Sequence, residues 1–300
     1  MNIKNALLIC ARNFVLIWKQ MVYTIILAVL VGLCLWGTLT PVIKMLNAEG
    51  WFTLLTEYFE SIYTRPSNVA MGFEIVMSRL WVLFVENAPL LWGNYMVSIL
   101  LIVLIPNVAL SLATYTAGDL VNAKLCSSVN YGWIHRFLSS IKYSLPYSLV
   151  DTLIRIPALA LQIGAFILYG TLADTWFLAT ILLPVLILVI LAIGSLRHTL
   201  TMWFLPECLV MGGNVFKSLG RSCKLVFKDF SRLSLSTFML YLVEFAGVML
   251  LTVFTLGAGL ILLIPTIPVV NVAYSLICYY QANSMRYYLD SNTIVSPLQD

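Results

Sequence analysis

A chain of 300 residues that is 61% hydrophobic and 10% charged, with a mean hydropathy of +0.95, lacks the charge that wets a soluble domain, where about a quarter of residues are charged. A cytosolic enzyme, a disulfide-stapled secreted scaffold and a disordered tail are thereby excluded. What remains is an all-α polytopic membrane protein with a formal net charge of +4.

Crossing about 30 Å of hydrocarbon takes about 20 apolar residues in a helix, so uncharged runs are read as spans. Lys4, Arg12 and Lys19 precede the first, at about 21–39. A basic segment of that length, with no small-residue cleavage site after the apolar run, does not read as a cleavable signal. Residues 40–93 form an outer loop with two amphipathic runs, Phe52, Leu55, Phe59, Ile62 and then Phe73, Val76, Leu80, Phe84, divided at Thr64-Arg65-Pro66-Ser67-Asn68. They are expected to lie flat on the outer leaflet as interfacial helices; the alternatives are that they cap a cavity or meet a partner. The second span, about 94–118, returns to a connection holding Lys124, Arg136 and Lys142. Spans at about 147–173 and 175–203 flank a hinge at Asp174, and Arg197-His198 close the second of them. Residues 207–232 form a basic amphipathic segment. Spans at about 233–254 and 260–282 then flank a reversal at Thr255-Leu256-Gly257-Ala258-Gly259, where glycine permits the turn.

Lys and Arg cluster before the first span, between the second and third and between the fourth and fifth, whereas the outer loop carries Glu49, Glu57, Glu60, Glu74 and Glu86. By the positive-inside bias both termini are cytoplasmic. Trp36, Trp92 and Trp176 fall at outer span ends and Trp18, Trp133 and Trp203 at inner ones, as interfacial tryptophan should. The six cysteines avoid the outer loop, so no disulfide framework is implied, and no N-x-[ST] sequon occurs. The missing sequon favours a bacterial plasma membrane over a secretory-pathway one.

Each pair of spans leaves from the basic side and returns. Ala11-Arg12-Asn13-Phe14-Val15-Leu16-Ile17-Trp18-Lys19 resembles Gly220-Arg221-Ser222-Cys223-Lys224-Leu225-Val226-Phe227-Lys228. Asn107-Val108-Ala109-Leu110-Ser111-Leu112-Ala113-Thr114-Tyr115 aligns with Asn271-Val272-Ala273-Tyr274-Ser275-Leu276-Ile277-Cys278-Tyr279, each after a proline, Pro106 or Pro268. These matches predict three parallel helix-pair repeats. Chance alignment of apolar alphabets is the plainer alternative.

At 100° per residue Lys217, Arg221, Lys224, Lys228 and Arg232 fall on one stripe, with Val215, Leu219, Cys223, Val226, Phe230 and Leu233 opposite. Such a helix lies in the interface with its cations towards anionic lipid headgroups or a partner protein. A connector that merely anchors topology carries the same residues. Nucleic acid is not an expected partner, since the stripe faces a membrane. Pro206-Glu207-Cys208-Leu209-Val210-Met211-Gly212-Gly213-Asn214, with Phe216-Lys217-Ser218-Leu219-Gly220-Arg221-Ser222-Cys223-Lys224-Leu225, resembles the YciC-like bacterial inner-membrane proteins. It is also similar to the membrane domain attached to some glycerophosphodiester phosphodiesterases. A second resemblance, through residues 95–155, is to the YesL-like membrane proteins. These resemblances imply a six-span layout and no catalytic residue; the soluble phosphodiesterase domain is absent.

Ionisable and amide groups inside a bilayer default to functional candidates. Glu244 sits at the middle of the fifth span, and Asn107 and Asn271 near the middle of the second and sixth. Together they make either a midplane solute or proton site, or a set of interhelical hydrogen bonds. Asp151 and Arg155, spaced i and i+4, share a helix face as an ion pair easing entry at the membrane interface. Two histidines, His135 and His198, and cysteines without C-x-x-C spacing suggest no metal site, and no cofactor motif or hydrolase motif occurs. The expected function is therefore non-enzymatic: assistance or regulation of a membrane complex or envelope process, with a membrane-protein partner or a second copy of the chain. The alternative is a small-solute or ion transporter using the midplane residues.

Overall fold

The computed structural model describes residues 2–64, 69–126, 132–172, 176–212, 214–289 and 293–295. Residues 65–68 of the expected outer divider, the hinge at Asp174, Gly213 and the side chains of Ile62 and Trp176 lie outside the described set. The chain folds as α1 (Asn2–Arg12), α2 (Phe14–Ala48), α3 (Trp51–Thr64), α4 (Val69–Glu86), α5 (Ala88–Ile99), a π-helical turn (Leu100–Leu104), α6 (Ile105–Leu125), α7 (Trp133–Leu172), α8 (Trp176–Thr201), α9 (Phe204–Val210), α10 (Val215–Lys228), α11 (Phe230–Phe254), α12 (Leu260–Ala282) and a short antiparallel pair, β1 (Tyr287–Tyr288) and β2 (Ile294–Val295). Among the described residues six helical stretches are long and apolar enough to cross a membrane. The protein is an all-α multi-pass membrane protein.

Several helices run well past the spans read from charge. The first expected span lies inside the 35 residues of α2, and the 40 residues of α7 begin at Trp133, so the basic entry segment and the third span are one helix. Charged residues end an apolar run but not a helix; Lys and Arg are good helix formers. Between α5 and α6 the π-helical turn sits just before Pro106, and the Ile105 amide reaches back to the carbonyl of Leu100. Proline offers no amide to the ladder, and the wider turn absorbs the break without ending the helix.

The basic segment expected as one helix over 207–232 is instead divided. After α9, Asn214 is extended and its side-chain oxygen accepts the Phe216 amide at 3.0 Å, capping α10. Asp229 then closes α10, its amide donating to the Val226 carbonyl at 3.3 Å, and opens α11. Arg232 accordingly belongs to the first turn of α11, not to the stripe of α10. The buried face of α10 also differs from expectation: it centres on Ser218, Ser222 and Val226. Small side chains allow closer helix approach than the leucine and cysteine predicted there.

Two compact units are formed, and α2, α6, α7 and α8 contribute to both. One comprises Met1–Leu27, Asn107–Leu161 and Ile190–Asp300. Its centre is the second half of α12, where Val269, Val270 and every residue over 272–280 are buried. A helix apolar all round must be surrounded, and α1, α9 and α11 pack on it. Tyr274, Tyr279, Tyr287 and Phe204 are among the largest fully buried side chains. Trp133 and Trp203, expected at the membrane surface, are buried in this core, Trp133 stacked on Phe137 at 5.1 Å. Cys10 is also enclosed, and burial pushes its thiol up to about 12.

The second unit comprises Ala28–Pro106 and Gln162–Val189. Here α3 and α4 form a helical hairpin on a small core of Val42, Leu46, Leu83 and Leu91. Trp51 donates to the Val76 carbonyl at 3.2 Å, and Asn94 to that of Thr38 at 3.0 Å. Phe52, Phe59 and Phe73 remain exposed. Elsewhere the apolar surface is extensive: Phe177, Val253 and Phe254 are more than two-thirds exposed, far beyond what a soluble monomer shows to water. Lipid is the solvent that fits it.

Candidate functional site

Within the first unit, five helices direct polar side chains into one cluster. From α6, Asn107 and Ser111 lie four residues apart and therefore on one face. Ser111 donates to a carboxylate oxygen of Asp151, and Arg155 donates to the same oxygen at 2.9 Å and to the Asn107 side-chain oxygen at 3.3 Å. Asp151 and Arg155 are a turn apart on α7, so the i, i+4 ion pair forms with both members held from α6.

From α12, Asn271 and Ser275 repeat the spacing. Asn271 donates to Glu244 of α11 at 3.5 Å, and the Ser275 hydroxyl meets Nε2 of His198 on α8 at 3.3 Å. The His198 ring lies against Tyr241, their centroids 5.9 Å apart, and the Arg197 guanidinium is near enough to act electrostatically on Tyr241. The two halves are electrically joined: Asp151, Arg155 and Arg197 all act on His198, and Arg155, Arg197 and Glu244 all act on Tyr241.

Ser111, Asp151 and Ser275 are buried and the other members half-buried. Four atoms are enclosed yet without a hydrogen-bond partner in the protein: Nε of Arg155, Nη1 of Arg197, Oε1 of Glu244 and Oδ1 of Asn271. Two are donors carried by cations, and two are acceptors. A buried polar atom left alone costs about 1–3 kcal/mol, so each of these atoms gains from a water or another polar group that reaches it. Among the described residues no three His, Cys, Asp or Glu side chains converge as metal ligands.

The structure thus brings Glu244 and Asn271 together, whereas Asn107 pairs with Arg155. Glu244 and Arg197 both act electrostatically on Tyr241. Arg197, His198, Tyr241, Ser111 and Ser275 were not singled out by sequence reasoning as one site. A signal was present: both aligned segments keep serine four residues after asparagine.

A second polar group lies beside α10. The Glu207 side chain is buried, accepts from the Tyr279 hydroxyl at 3.1 Å and stands 3.6 Å from Nε of Arg221. The remaining stripe residues of α10, Lys217, Lys224 and Lys228, are exposed, as is Arg232 on α11. Comparison with protein-family models, curated proteins and solved structures found no match to this chain.

Proposed function

We propose that this multi-pass membrane protein binds a small polar or charged solute at the cluster of Asn107, Asp151, Arg155, Arg197, His198, Tyr241, Glu244 and Asn271 and carries it across the membrane. No covalent chemistry is needed. The observation that carries the reading is that Arg155 and Arg197 keep enclosed donors, and Glu244 and Asn271 enclosed acceptors, without partners in the protein. Charged groups enclosed among apolar helices are expensive, and a solute path is a common reason for keeping them. Interhelical hydrogen bonding alone contributes about 0.6 kcal/mol per bond, a small return for two arginines and two carboxylates in one place. We place the protein in a bacterial plasma membrane with both termini cytoplasmic, on the distribution of Lys and Arg.

The test is uptake of labelled chloride, acetate, phosphate and alanine into proteoliposomes. At least one solute should enter faster than in protein-free vesicles, and Arg197→Gln and Glu244→Gln should each lower that rate at least tenfold while the purified protein stays monodisperse. Uptake equal to protein-free vesicles for all four, or unchanged by both substitutions, contradicts the proposal. A second reading, assistance to a partner complex, is favoured by the exposed cations of α10. It requires a stoichiometric partner to co-purify in mild detergent.

A further inference from the structure

Separate from the solute site, α10 carries a shallow groove of about 520 Å³ lined by Lys217, Gly220, Arg221 and Lys224. We propose that this groove holds the headgroup of an anionic phospholipid. Its walls are three cations on successive turns of one helix face. Its floor is Gly220, where an added Cβ would meet nothing within 4 Å, so the absence of a side chain leaves the space open. Arg221 is steadied from behind by the buried Glu207.

The membrane is the source of the phosphate for two reasons. Only Asp229 separates α10 from α11, one of the apolar membrane-crossing helices, so the groove is tethered at the membrane surface. Phe216 and Phe227 are 70% and 64% exposed. Eleven residues apart, three turns at 3.6 residues each, they occupy one flank of the basic stripe. An apolar flank beside a cationic face suits a lipid, whose acyl chains lie along the phenyl rings while its phosphodiester meets the lysines. A soluble phosphate compound has no use for that flank.

The full chain in detergent, offered equal amounts of dioleoylphosphatidylglycerol and dioleoylphosphatidylcholine, is read by native mass spectrometry. The wild type should retain one phosphatidylglycerol in preference. Lys217→Gln and Lys224→Gln should each weaken retention about fivefold, the equivalent of about 1 kcal/mol per cation. Gly220→Leu, which fills the groove without removing charge, should do at least as much, whereas Lys228→Gln, one turn beyond it, should have little effect. Equal retention of both lipids overturns the proposal. So does an equal loss from Lys228→Gln, which marks a diffuse field, or a Gly220→Leu protein that retains lipid as the wild type does. Displacement of the lipid by millimolar inorganic phosphate overturns the membrane as the source. The lysine variants, being exposed, keep the test decisive if Gly220→Leu fails to fold.

Discussion

Asn107 and Asn271 perform different tasks from one spacing. Each is followed four residues later by serine, and each Asn–Ser face meets two polar groups from other helices, Arg155 and Asp151 in one case, Glu244 and His198 in the other. The sequence alone marks the asparagines, because amides are conspicuous in apolar runs. The partners were harder to read. Arg155 and Arg197 lie near the ends of apolar runs, where snorkelling to the surface explains an arginine equally well, and only the packed structure brings both within electrostatic reach of Tyr241. Asp151 is the tightest of these residues, bound to both Ser111 and Arg155. Asp151→Asn leaves the guanidinium without its countercharge. The expected loss is about 2 kcal/mol, at or below the low end for buried pairs because a quarter of the Arg155 side chain stays exposed. Thermal unfolding in detergent measures it. Adding Arg155→Gln should recover most of the loss, since no bare charge then remains; a single variant as stable as the wild type contradicts this account of the pair.

Helices were legible as elements, and their ends were not. Uncharged runs located the membrane-crossing stretches, yet α2 and α7 continue past Lys19 and Lys142 because charge at a membrane edge does not terminate a helix. The opposite error occurred at 207–232, where an unbroken basic periodicity concealed the capping of α10 by Asn214 and the break at Asp229. Capping is a matter of one or two side chains and is lost in a periodicity that averages over turns. Packing between elements was less visible still. Gly118 on α6 is read from sequence as one more small residue in an apolar run, but a Cβ there would lie 2.9 Å from Leu205, 3.1 Å from Leu209 and 3.2 Å from Val272. That glycine lets α6 approach α9 and α12 closely. Two of the contacting atoms are methyl ends of flexible leucines and the third belongs to the stiffer Val272, so Gly118→Ala should destabilise only slightly. Gly118→Leu should destabilise by about 1–3 kcal/mol through overpacking, read as a lower melting temperature; a Leu variant melting with the wild type shows that the approach has slack.

For the molecule as a whole, composition dictated the solvent before any element was assigned. Among the few charged residues, two groups have different physical roles. Those of α10 face outward, where each can meet headgroups at little desolvation penalty. Those of the cluster are drawn among five helices and leave donors and acceptors unmatched, which a purely structural network would pair. The burial of Trp133 and Trp203 has the same lesson: a residue type suited to the membrane surface serves a protein core as readily. The most direct test of the central claim asks whether an aqueous solute reaches the cluster. In a protein whose native cysteines are replaced by serine, Tyr241→Cys is treated in proteoliposomes with a charged, membrane-impermeant thiosulfonate on both sides. The account predicts modification at a rate comparable with that of a cysteine placed at exposed Lys217. A thiol at position 241 that stays unmodified while the control is fully labelled contradicts it.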